Sequence, residues 1–456
     1  MMMKCGLIGA VACAALSAAA EVAVPGPEMS GTEETPGVYP DETAAIQARI
    51  DECFKKGGGE VRLAKGKHPV KSIRLRSNVT LHLERGARLV ASRFPEDYAG
   101  MLENDALEPL DPAILADAKR AVRATNRWHR AIIRIFNAKN VAIVGEPGSE
   151  IDGRNCYDPL GEEKLRGPHA IVAQFATNLT LRGYSVRDAG NYGLYTYQAA
   201  DVNVSDLTIR GGHDGLDFFW CDRVRVERCD IESGDDCVAG HSNRDWTIRD
   251  CRLNTSCSIF RIGGNGVRVE NIDARGPGIY AHRQTFRREA LQAGLNPTDH
   301  GRRNTLSFFT FFASKTTPDP AGDMKFSNCR VSGVDKLMHL NLSGSERWQQ
   351  GFGLADVAFE DMTFDGLVKP GVIYDTADSP LKVKFKNVKL SFREPVEELF
   401  LGANVRAVKI RGLDVKGAKG PFLRSWNGTP KADAENLSGI EFKVEPTTGP
   451  FKVRSI

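Results

Sequence analysis

The chain has 456 residues, of which 41% are hydrophobic, 26% charged and 8% aromatic, with 45 glycines and 22 prolines. This composition is that of a globular protein and excludes the disordered, collagen-like and membrane-spanning classes. The 61 Lys and Arg residues nearly balance the 58 Asp and Glu residues, for a net charge of +3. No block of like charge occurs, so we expect no nucleic-acid partner.

The first 20 residues have the pattern of a secretory signal peptide. Lys4 precedes an apolar run from Cys5 to Leu16, and the small residues Ala18 and Ala20 stand at the −3 and −1 positions of a cleavage site. A membrane anchor would need about 20 apolar residues, and this run is shorter. The sequence therefore predicts a secreted or periplasmic protein without a membrane partner.

Short segments of alternating apolar and polar residues recur along the chain at a nearly constant spacing. Five of them begin at Asn178, Asp201, Arg223, Asp245 and Gly266, with steps of 23, 22, 22 and 21 residues. Alternation with period two is typical of a strand with one buried face. Its repetition about every 22 residues is typical of a solenoid whose coils stack on one another, so the sequence predicts an all-β parallel β-helix.

The same pattern covers most of the chain, which predicts one β-helix domain over residues 21–456. Further segments of this type begin at Asn78, Asn140, Asp323, Asp356, Lys382 and Ala407. Two insertions interrupt the repeat, at about residues 105–127 and 282–310. They are expected either to flank a binding face or to be solvated loops without function.

A helix is expected near the beginning of the domain, and the charged segment Pro109–Arg127 of the first insertion is also helix-like. Residues Asp41–Lys56 place Ile46, Ile50 and Phe54 on one helical face. We expect this amphipathic helix to belong to an N-terminal cap, at about residues 38–60, that covers the open end of the first coil.

Eight cysteines follow the signal peptide. An even number permits disulfides in an oxidising compartment, but the sequence does not define their pairing. No two cysteines have the CxxC spacing, and we expect neither a metal nor a cofactor. Cys229, Cys251 and Cys329 occupy the same inward position of their repeats, which predicts a stack of buried thiols.

The repeat also brings three aspartates to one place. Asp214 follows Asp201 at the same offset at which Asp236 follows Arg223, and Asp235 directly precedes Asp236. Asp214 and Asp236 therefore occupy the same position on successive coils, about 4.8 Å apart. Like charges so close raise at least one pKa, which suits proton transfer. The alternative is that these are ordinary turn residues beside glycines.

Two motifs around these aspartates resemble those of the polygalacturonase-like glycoside hydrolases of family 28. Gly212–Asp217 (GHDGLD) is similar to the family's NTDGxD motif, and Ser233–Cys237 (SGDDC) contains its GDDC motif. The likeness extends over about residues 38–285. It also includes Gln47, Gly57–Gly59, Ile151–Gly153 and Arg166–Pro168.

The resemblance implies a right-handed, single-stranded β-helix of the pectin-lyase-like superfamily and an inverting hydrolase. Asp235 would be the general acid that protonates the glycosidic oxygen, and Asp214 and Asp236 would activate the attacking water. The acid and base of an inverting enzyme stand about 6.5 to 9.5 Å apart, a separation that we expect neighbouring coils to supply.

The chain departs from two further motifs of the family. One coil after the GDDC motif, where GHG is expected, the segment Thr255–Arg261 contains no histidine. Where RIK is expected, the chain has Tyr280–Arg283. The candidate substrate-binding residues lie at or beside these departures: His213, His241, Ser258, Arg261, His282 and Arg283. Solvated histidines and ordinary surface arginines are the alternative.

The departures also bear on the substrate. Arginine binds carboxylate or sulfate bidentately, so Arg261 and Arg283 are candidates for holding an acidic group. We expect poor activity on plain polygalacturonate, because the family grips galacturonate through the two missing motifs. Phe218, Phe219 and Trp220 are expected either to form part of a sugar-stacking wall or to pack in the core.

The leading hypothesis is a secreted, monomeric glycoside hydrolase that acts on a pectin-like or other acidic polysaccharide. A β-helix polysaccharide lyase is a second hypothesis, but a lyase would need a calcium site with a cationic base nearby. A third is a glycan-binding or structural β-helix whose catalytic site has decayed, which the two missing motifs keep open.

Overall fold

A computed structural model describes residues 40–98, 100, 106–109, 112–114, 116, 126–282, 301–315 and 321–453. The predicted signal peptide, much of the two predicted insertions and Arg283 lie outside these residues. Within the described part of the chain, no helix is long and apolar enough to cross a membrane.

The chain forms a right-handed parallel β-helix, as the repeat and the resemblance predicted. Helix α1 (Thr43–Lys55) precedes the strands, and the short 3-10 helices are Pro95–Asp97, Asn126–His129 and Glu162–Lys164. The strands, in chain order, are β1 (Gly59–Leu63), β2 (Gly66–Val70), β3 (Ile73–Leu75), β4 (Val79–Leu83), β5 (Ala87–Ala91), β6 (Ala131–Phe136), β7 (Lys139–Gly145), β8 (Glu150–Asp152), β9 (His169–Gln174), β10 (Thr177–Arg182), β11 (Ser185–Arg187), β12 (Leu194–Tyr197), β13 (Ala200–Ser205), β14 (Thr208–Arg210), β15 (Leu216–Phe219), β16 (Asp222–Glu227), β17 (Asp230–Ser233), β18 (Val238–Arg249), β19 (Arg252–Thr255), β20 (Ser258–Glu270), β21 (Asp273–Arg275), β22 (Ser307–Phe311), β23 (Gly322–Ser327), β24 (Arg330–Ser332), β25 (Met338–Asn341), β26 (Asp356–Leu367), β27 (Gly371–Tyr374), β28 (Leu381–Val396), β29 (Phe400–Ala403), β30 (Val405–Ala418), β31 (Leu423–Ser425), β32 (Lys431–Ser438) and β33 (Val444–Pro446).

The strands stack into three faces that run along the helix axis. One of them, called sheet 1 below, contains β6, β9, β12, β15, the first part of β18, β20 and β22 in successive coils, all paired in parallel. A second face contains β10, β13 and β16, each of which begins one residue before the segment predicted from the repeat. The third contains β11, β14 and β17.

The turn from sheet 1 to the second face recurs at the same residue of each coil. Asn140, Asn178 and Asp201 all have φ of 56°, in the left-handed region that Asn and Asp adopt more readily than other side chains. Asn178 Nδ2 also donates to Asn140 Oδ1 at 2.9 Å. This local requirement explains why so many of the predicted strands begin with Asn or Asp.

Side chains of equal position stack inside the coils. Val202 pairs with Val224, which pairs with Trp246, and all three are fully buried. Burial of an aliphatic side chain of this size stabilises the fold by about 1.5 to 3 kcal/mol. Helix α1 buries Ile46 and Ile50 at the open end of the first coil, so the predicted cap is present.

The predicted thiol stack is confirmed for Cys229 and Cys251, whereas Ile272 occupies the same position on the coil between Cys251 and Cys329. Cys229, Cys251 and Cys329 are each at most 2% exposed, and the backbone N–H of Cys229 contacts Cys251 Sγ at 3.4 Å. The eight cysteines among the described residues are free thiols, so the structure shows no disulfide between them.

Candidate active site

A cleft of about 500 Å³ lies on the outer face of sheet 1. Its floor is a row of side chains in register across successive coils, from Asp217 on β15 through Ala239 and Arg261 to Thr310 on β22. Because side chains alternate between the two faces of a strand, this row points outward while its neighbours fill the core. The β-helix therefore places one side chain per coil along the cleft.

The three predicted aspartates meet at one edge of this floor. The N–H of Gly215 donates to Asp236 O, and the N–H of Asp235 donates to His213 O, both at 2.9 Å, so the predicted stacking of Asp214 on Asp236 is present. One carboxylate oxygen from each of Asp214, Asp235 and Asp236 lies within 4.8 Å of the others.

This spacing agrees with the separation of about 4.8 Å expected for Asp214 and Asp236 from the stacking of coils, but it is shorter than the acid–base separation that the family resemblance implied. Inverting glycosidases usually hold their carboxyl groups about 6.5 to 9.5 Å apart, whereas retaining ones hold them about 5 to 5.5 Å apart. The reason for the short spacing is the fold itself. Asp235 and Asp236 are adjacent in sequence, and Asp214 is removed from Asp236 by a single step between stacked strands.

Two cleft residues that the sequence analysis did not single out complete this cluster. Asp217, only 1% exposed, is a fourth buried carboxyl. Arg166 donates from Nη2 to Asp235 Oδ2 at 2.6 Å and places Nη1 3.7 Å from Asp214 Oδ1. Asp217 was visible as the last residue of the GHDGLD motif. Arg166 lies two coils before Asp214 and three coils before Asp235, and no periodic signal connected it with them.

Arg261 is the second guanidinium of the cluster. Its Nη1 lies 3.4 Å from Asp236 Oδ2. Its Cζ lies 4.0 Å from the ring centroid of Phe312 and 4.8 Å from that of Trp348, so the side chain makes cation–π contacts with both rings. In this ligand-free structure the guanidinium that we predicted to bind substrate is held against a carboxylate.

Burial and mutual repulsion favour protons on three of the four carboxyls. Burial, and then the charges of Asp217, Asp235 and Asp236, raise the pKa of Asp214 well above its ordinary value. Burial and then Asp236 do the same for the pKa of Asp217. The pKa of Asp236 is raised by burial and then by Asp235, although Arg261 opposes the shift.

Asp235 behaves in the opposite way. Burial would raise its pKa, but the charge of Arg166 and then the hydrogen bond and charge of His282 lower that pKa well below its ordinary value. His282 Nε2 lies 3.5 Å from Asp235 Oδ2. Arg166 therefore favours the ionised form of Asp235, whereas burial favours the protonated forms of its neighbours.

The other predicted binding residues have different surroundings. His213 is fully buried beneath Asp235. His241 lines the cleft between Phe219 and Phe312, and burial followed by the charge of Arg261 lowers its pKa to about 4. The N–H of Ser258 donates to Asp236 Oδ1 at 3.0 Å. Arg283 lies outside the described residues.

Cys257, which the sequence analysis did not select, lies one coil beyond Asp235 and lines the cleft. Its Sγ lies within 4.8 Å of a carboxylate oxygen of Asp235 and accepts a hydrogen bond from Arg302 Nη2 at 3.6 Å. The signal was present in the repeat, because Cys257 follows Asp245 at the same offset at which Asp235 follows Arg223.

Aromatic side chains wall the cleft. Phe218 is fully buried in the core against Trp246, whereas Phe219 and Trp220 line the cleft. The cleft's aromatic residues are Trp128, Tyr192, Tyr195, Phe219, Trp220, Phe312 and Trp348. Such surfaces suit the apolar faces of sugar rings.

Comparison with known proteins agrees with this geometry. Residues 113–275, which contain all four aspartates, match the family described as glycosyl hydrolases family 28. A polygalacturonase of Saccharomyces cerevisiae is 26% identical over 159 residues, covering 32% of this chain and 42% of that protein. A probable polygalacturonase of Vitis vinifera is 26% identical over 215 residues, covering 44% of this chain and 41% of that protein.

The alignments with these two proteins span less than half of each relative's length. A solved structure of a family 28 exopolygalacturonase from Yersinia enterocolitica superimposes with a TM-score of 0.60 at 15% identity, covering 90% of this chain and 76% of that one. At 15% sequence identity, this likeness is evidence for the fold alone. The chain is thus a relative of the family 28 glycosyl hydrolases, built on a right-handed parallel β-helix.

Proposed function

We propose that this protein is an exported glycoside hydrolase that cleaves a pectin-like or other acidic polysaccharide. The observation that carries the proposal is the cluster of Asp214, Asp217, Asp235 and Asp236 against the guanidiniums of Arg166 and Arg261, on the floor of an aromatic-walled cleft. Four carboxyls this close together cost folding free energy and give a purely structural solenoid no benefit, whereas their shifted pKa values suit proton transfer in a reaction.

In the proposed reaction Asp235 protonates the glycosidic oxygen while Asp214 and Asp236 orient and deprotonate the attacking water. When substrate enters the cleft and excludes water, Asp214 or Asp236 passes its proton to Asp235, and the carboxylate left behind accepts the proton of the attacking water. Arg166 would then hold the carboxylate that forms when Asp235 has given its proton away.

The walls of the cleft support a carbohydrate as the ligand. Sugar rings stack on aromatic faces, and Phe219, Trp220 and Trp348 offer such faces beside the carboxyls. Arg166 and Arg261 already contact aspartates. The carboxylate of a uronate at the cleaved bond would therefore have to compete with these aspartates for the two guanidiniums. Plain polygalacturonate is therefore proposed to be a poor substrate.

A screen of glycans tests the proposal. The purified protein is incubated with polygalacturonate, branched pectic glycans and sulfated glycans, and new reducing ends and ultraviolet absorbance are both measured. New reducing ends without absorbance of an unsaturated product indicate hydrolysis. Absorbance indicates a lyase, and binding without either product indicates a decayed, glycan-binding site. The Asp235→Asn variant, prepared identically, corrects for contaminating activity.

A further inference from the structure

The cleft is closed at both of its ends along the helix axis. The row of outward side chains that forms its floor continues to Val172 on β9 at one end and to His339 on β25 at the other, and both residues are fully buried. Between them the row from Tyr195 to Thr310 takes four steps between coils. At about 4.8 Å per step, roughly the length of one sugar unit, this floor is too short for a polysaccharide that lies along the axis.

The segment between β5 and β6 builds the wall at the first end. The Trp128 ring packs edge-on against Tyr192 and Tyr195, with centroid distances of 5.5 and 5.6 Å. Trp128 and Ile114 also pack against the apolar cluster that contains Val172. An apolar contact of this kind excludes water and leaves no room for a sugar beyond Tyr195.

The segment that follows β25 builds the opposite wall. Glu346 binds His339 Nε2 at 3.0 Å, and Gln349 donates to the backbone of β22. Between these two anchors Trp348 lies against Arg261, with the guanidinium carbon 4.8 Å from the ring centroid. A cleft with a wall at each end admits the end of a glycan, whose remaining units leave through the open outer side.

Acidic side chains surround the guanidinium nearest the Trp128 wall. Arg166 donates from Nη2 to Asp235 at 2.6 Å and from Nε to Glu163 at 3.2 Å, and its Nη1 lies 3.7 Å from Asp214. Glu162 lines the same part of the cleft. One cation therefore has four acidic groups around it, and the carboxylate of a uronate placed here would be repelled.

The two histidines at this end add no positive charge near neutral pH. Burial lowers the pKa of His129 to about 4 and that of His169 to about 3. The His169 ring instead stacks on Tyr195, with 5.6 Å between the centroids. The surroundings are thus aromatic and acidic, which suits the apolar face of a sugar that has no carboxylate.

We propose that the enzyme removes a neutral sugar unit from the end of an acidic glycan, with this unit bound between Trp128 and the aspartates. The acidic units of the chain lie on the opposite side of the aspartates, where Arg261 and Trp348 line the cleft and the described lining residues include no glutamate. Water adds to the anomeric carbon as the glycosidic bond breaks, and the leaving oxygen takes the proton of Asp235. This inference rests on the proposed function and names its substrate more closely.

Oligosaccharides of alternating rhamnose and galacturonate test the assignment, because those with an odd number of units carry the same sugar at both ends. The wild type should release one free rhamnose from the pentasaccharide that ends in rhamnose. Its kcat/KM on the pentasaccharide that ends in galacturonate should be at least ~10-fold lower, because the second carboxylate meets like charges. On the polymer, new reducing ends should appear without a matching loss of viscosity.

A charge variant of the wall separates repulsion from a structural effect. Glu162→Gln should reduce the ratio of the two kcat/KM values roughly 3- to 10-fold, because one of the repelling charges is gone. A purely structural role of Glu162 would change both rates alike and leave their ratio in place. The matched control Glu441→Gln removes an exposed carboxylate outside the cleft and should keep the wild-type ratio.

Calorimetric titration of Asp235→Asn with the same two pentasaccharides tests binding apart from hydrolysis. Tighter binding of the rhamnose-ended one, with no hydrolysis of any glycan by the wild type, would refute the proposed function and support the neutral terminal unit. Cleavage at internal bonds, equal rates on the two pentasaccharides or an unchanged ratio in Glu162→Gln would overturn this inference and leave the proposed function standing. Neither binding nor hydrolysis would refute both.

Discussion

Arg166 donates a 2.6 Å hydrogen bond to Asp235, across 69 residues of sequence, and both side chains are largely withdrawn from solvent. A bond of this length between an arginine and a carboxylate is charge-assisted and strong. It decides which of four neighbouring carboxyls is ionised in the ligand-free protein. The pH dependence of the enzyme is therefore expected to depend on this pair.

Removing the guanidinium should move one limb of the pH profile. Without Arg166 the pKa of Asp235 rises, and a general acid works while it is protonated, so Arg166→Met should shift the basic limb of kcat/KM to higher pH. Arg166→Lys keeps the charge and should shift it less. Profiles of the three proteins on one substrate provide the measurement. A basic limb that stays in place in Arg166→Met would argue against Asp235 as the acid.

Asp235→Asn should lower kcat by about 10² to 10⁴, because the amide keeps the shape of the side chain but has no acidic proton to give. The matched control is Asp201→Asn, which disrupts an exposed ion pair with Arg223 and should stay within about twofold of the wild type. Initial rates and circular dichroism of both variants check this. If Asp235→Asn turned over substrate as fast as the wild type, Asp235 would not be the general acid.

The anomeric configuration of the first product is expected to be inverted. The family resemblance implies inversion, whereas the 4.8 Å limit on the carboxylate oxygens is closer to the spacing of retaining pairs. Proton NMR of the product, recorded before mutarotation, distinguishes inversion from retention. Retention would mean that one of Asp214 and Asp236 is a covalent nucleophile, and the water-activating role would have to be abandoned.

Asp217→Asn should stabilise the protein at neutral pH. Burial and the charge of Asp236 raise the pKa of Asp217 in the folded protein, so the unfolded chain releases this proton at a lower pH and the carboxyl costs stability as the pH rises. We expect a gain of about 1 kcal/mol at pH 7.

The gain should vanish below about pH 4, where folded and unfolded chains are both protonated. Denaturant titrations at several pH values measure it, with the exposed Asp201→Asn as control. A gain that is equal at all pH values would show that repulsion is not its cause.

Trp348 is expected to position Arg261. The cation–π contact is worth about 1 to 2 kcal/mol in a partly desolvated site, so Trp348→Ala should lower kcat/KM roughly 10-fold and Trp348→Phe should restore most of it. Phe352→Ala, which changes an exposed aromatic residue of the same segment, is the control. Equal losses in Trp348→Ala and Trp348→Phe would mean that the indole contacts substrate rather than holding the arginine.

The segment of Glu346, Trp348 and Gln349 shows why sequence could not reveal this contact. His339 lies in register with Thr310 on the cleft floor but is fully buried, because Glu346 binds its Nε2 at 3.0 Å and covers it. Gln349 donates to the carbonyl of Phe311. These contacts join positions that have no common place in the repeat, so no periodic pattern could predict where Trp348 lies.

The sequence by itself determined the β-helix, the strand positions and the stacking of Asp214 on Asp236, because a solenoid repeats local contacts at a fixed period. Residues at equal offsets, such as Cys229 and Cys251, must then stack. Only the tertiary structure showed which side chains from other parts of the chain contact the aspartates. Arg166 comes from an earlier coil and His282 from the edge of an insertion, and their charges, acting through space, decide which carboxyl holds a proton.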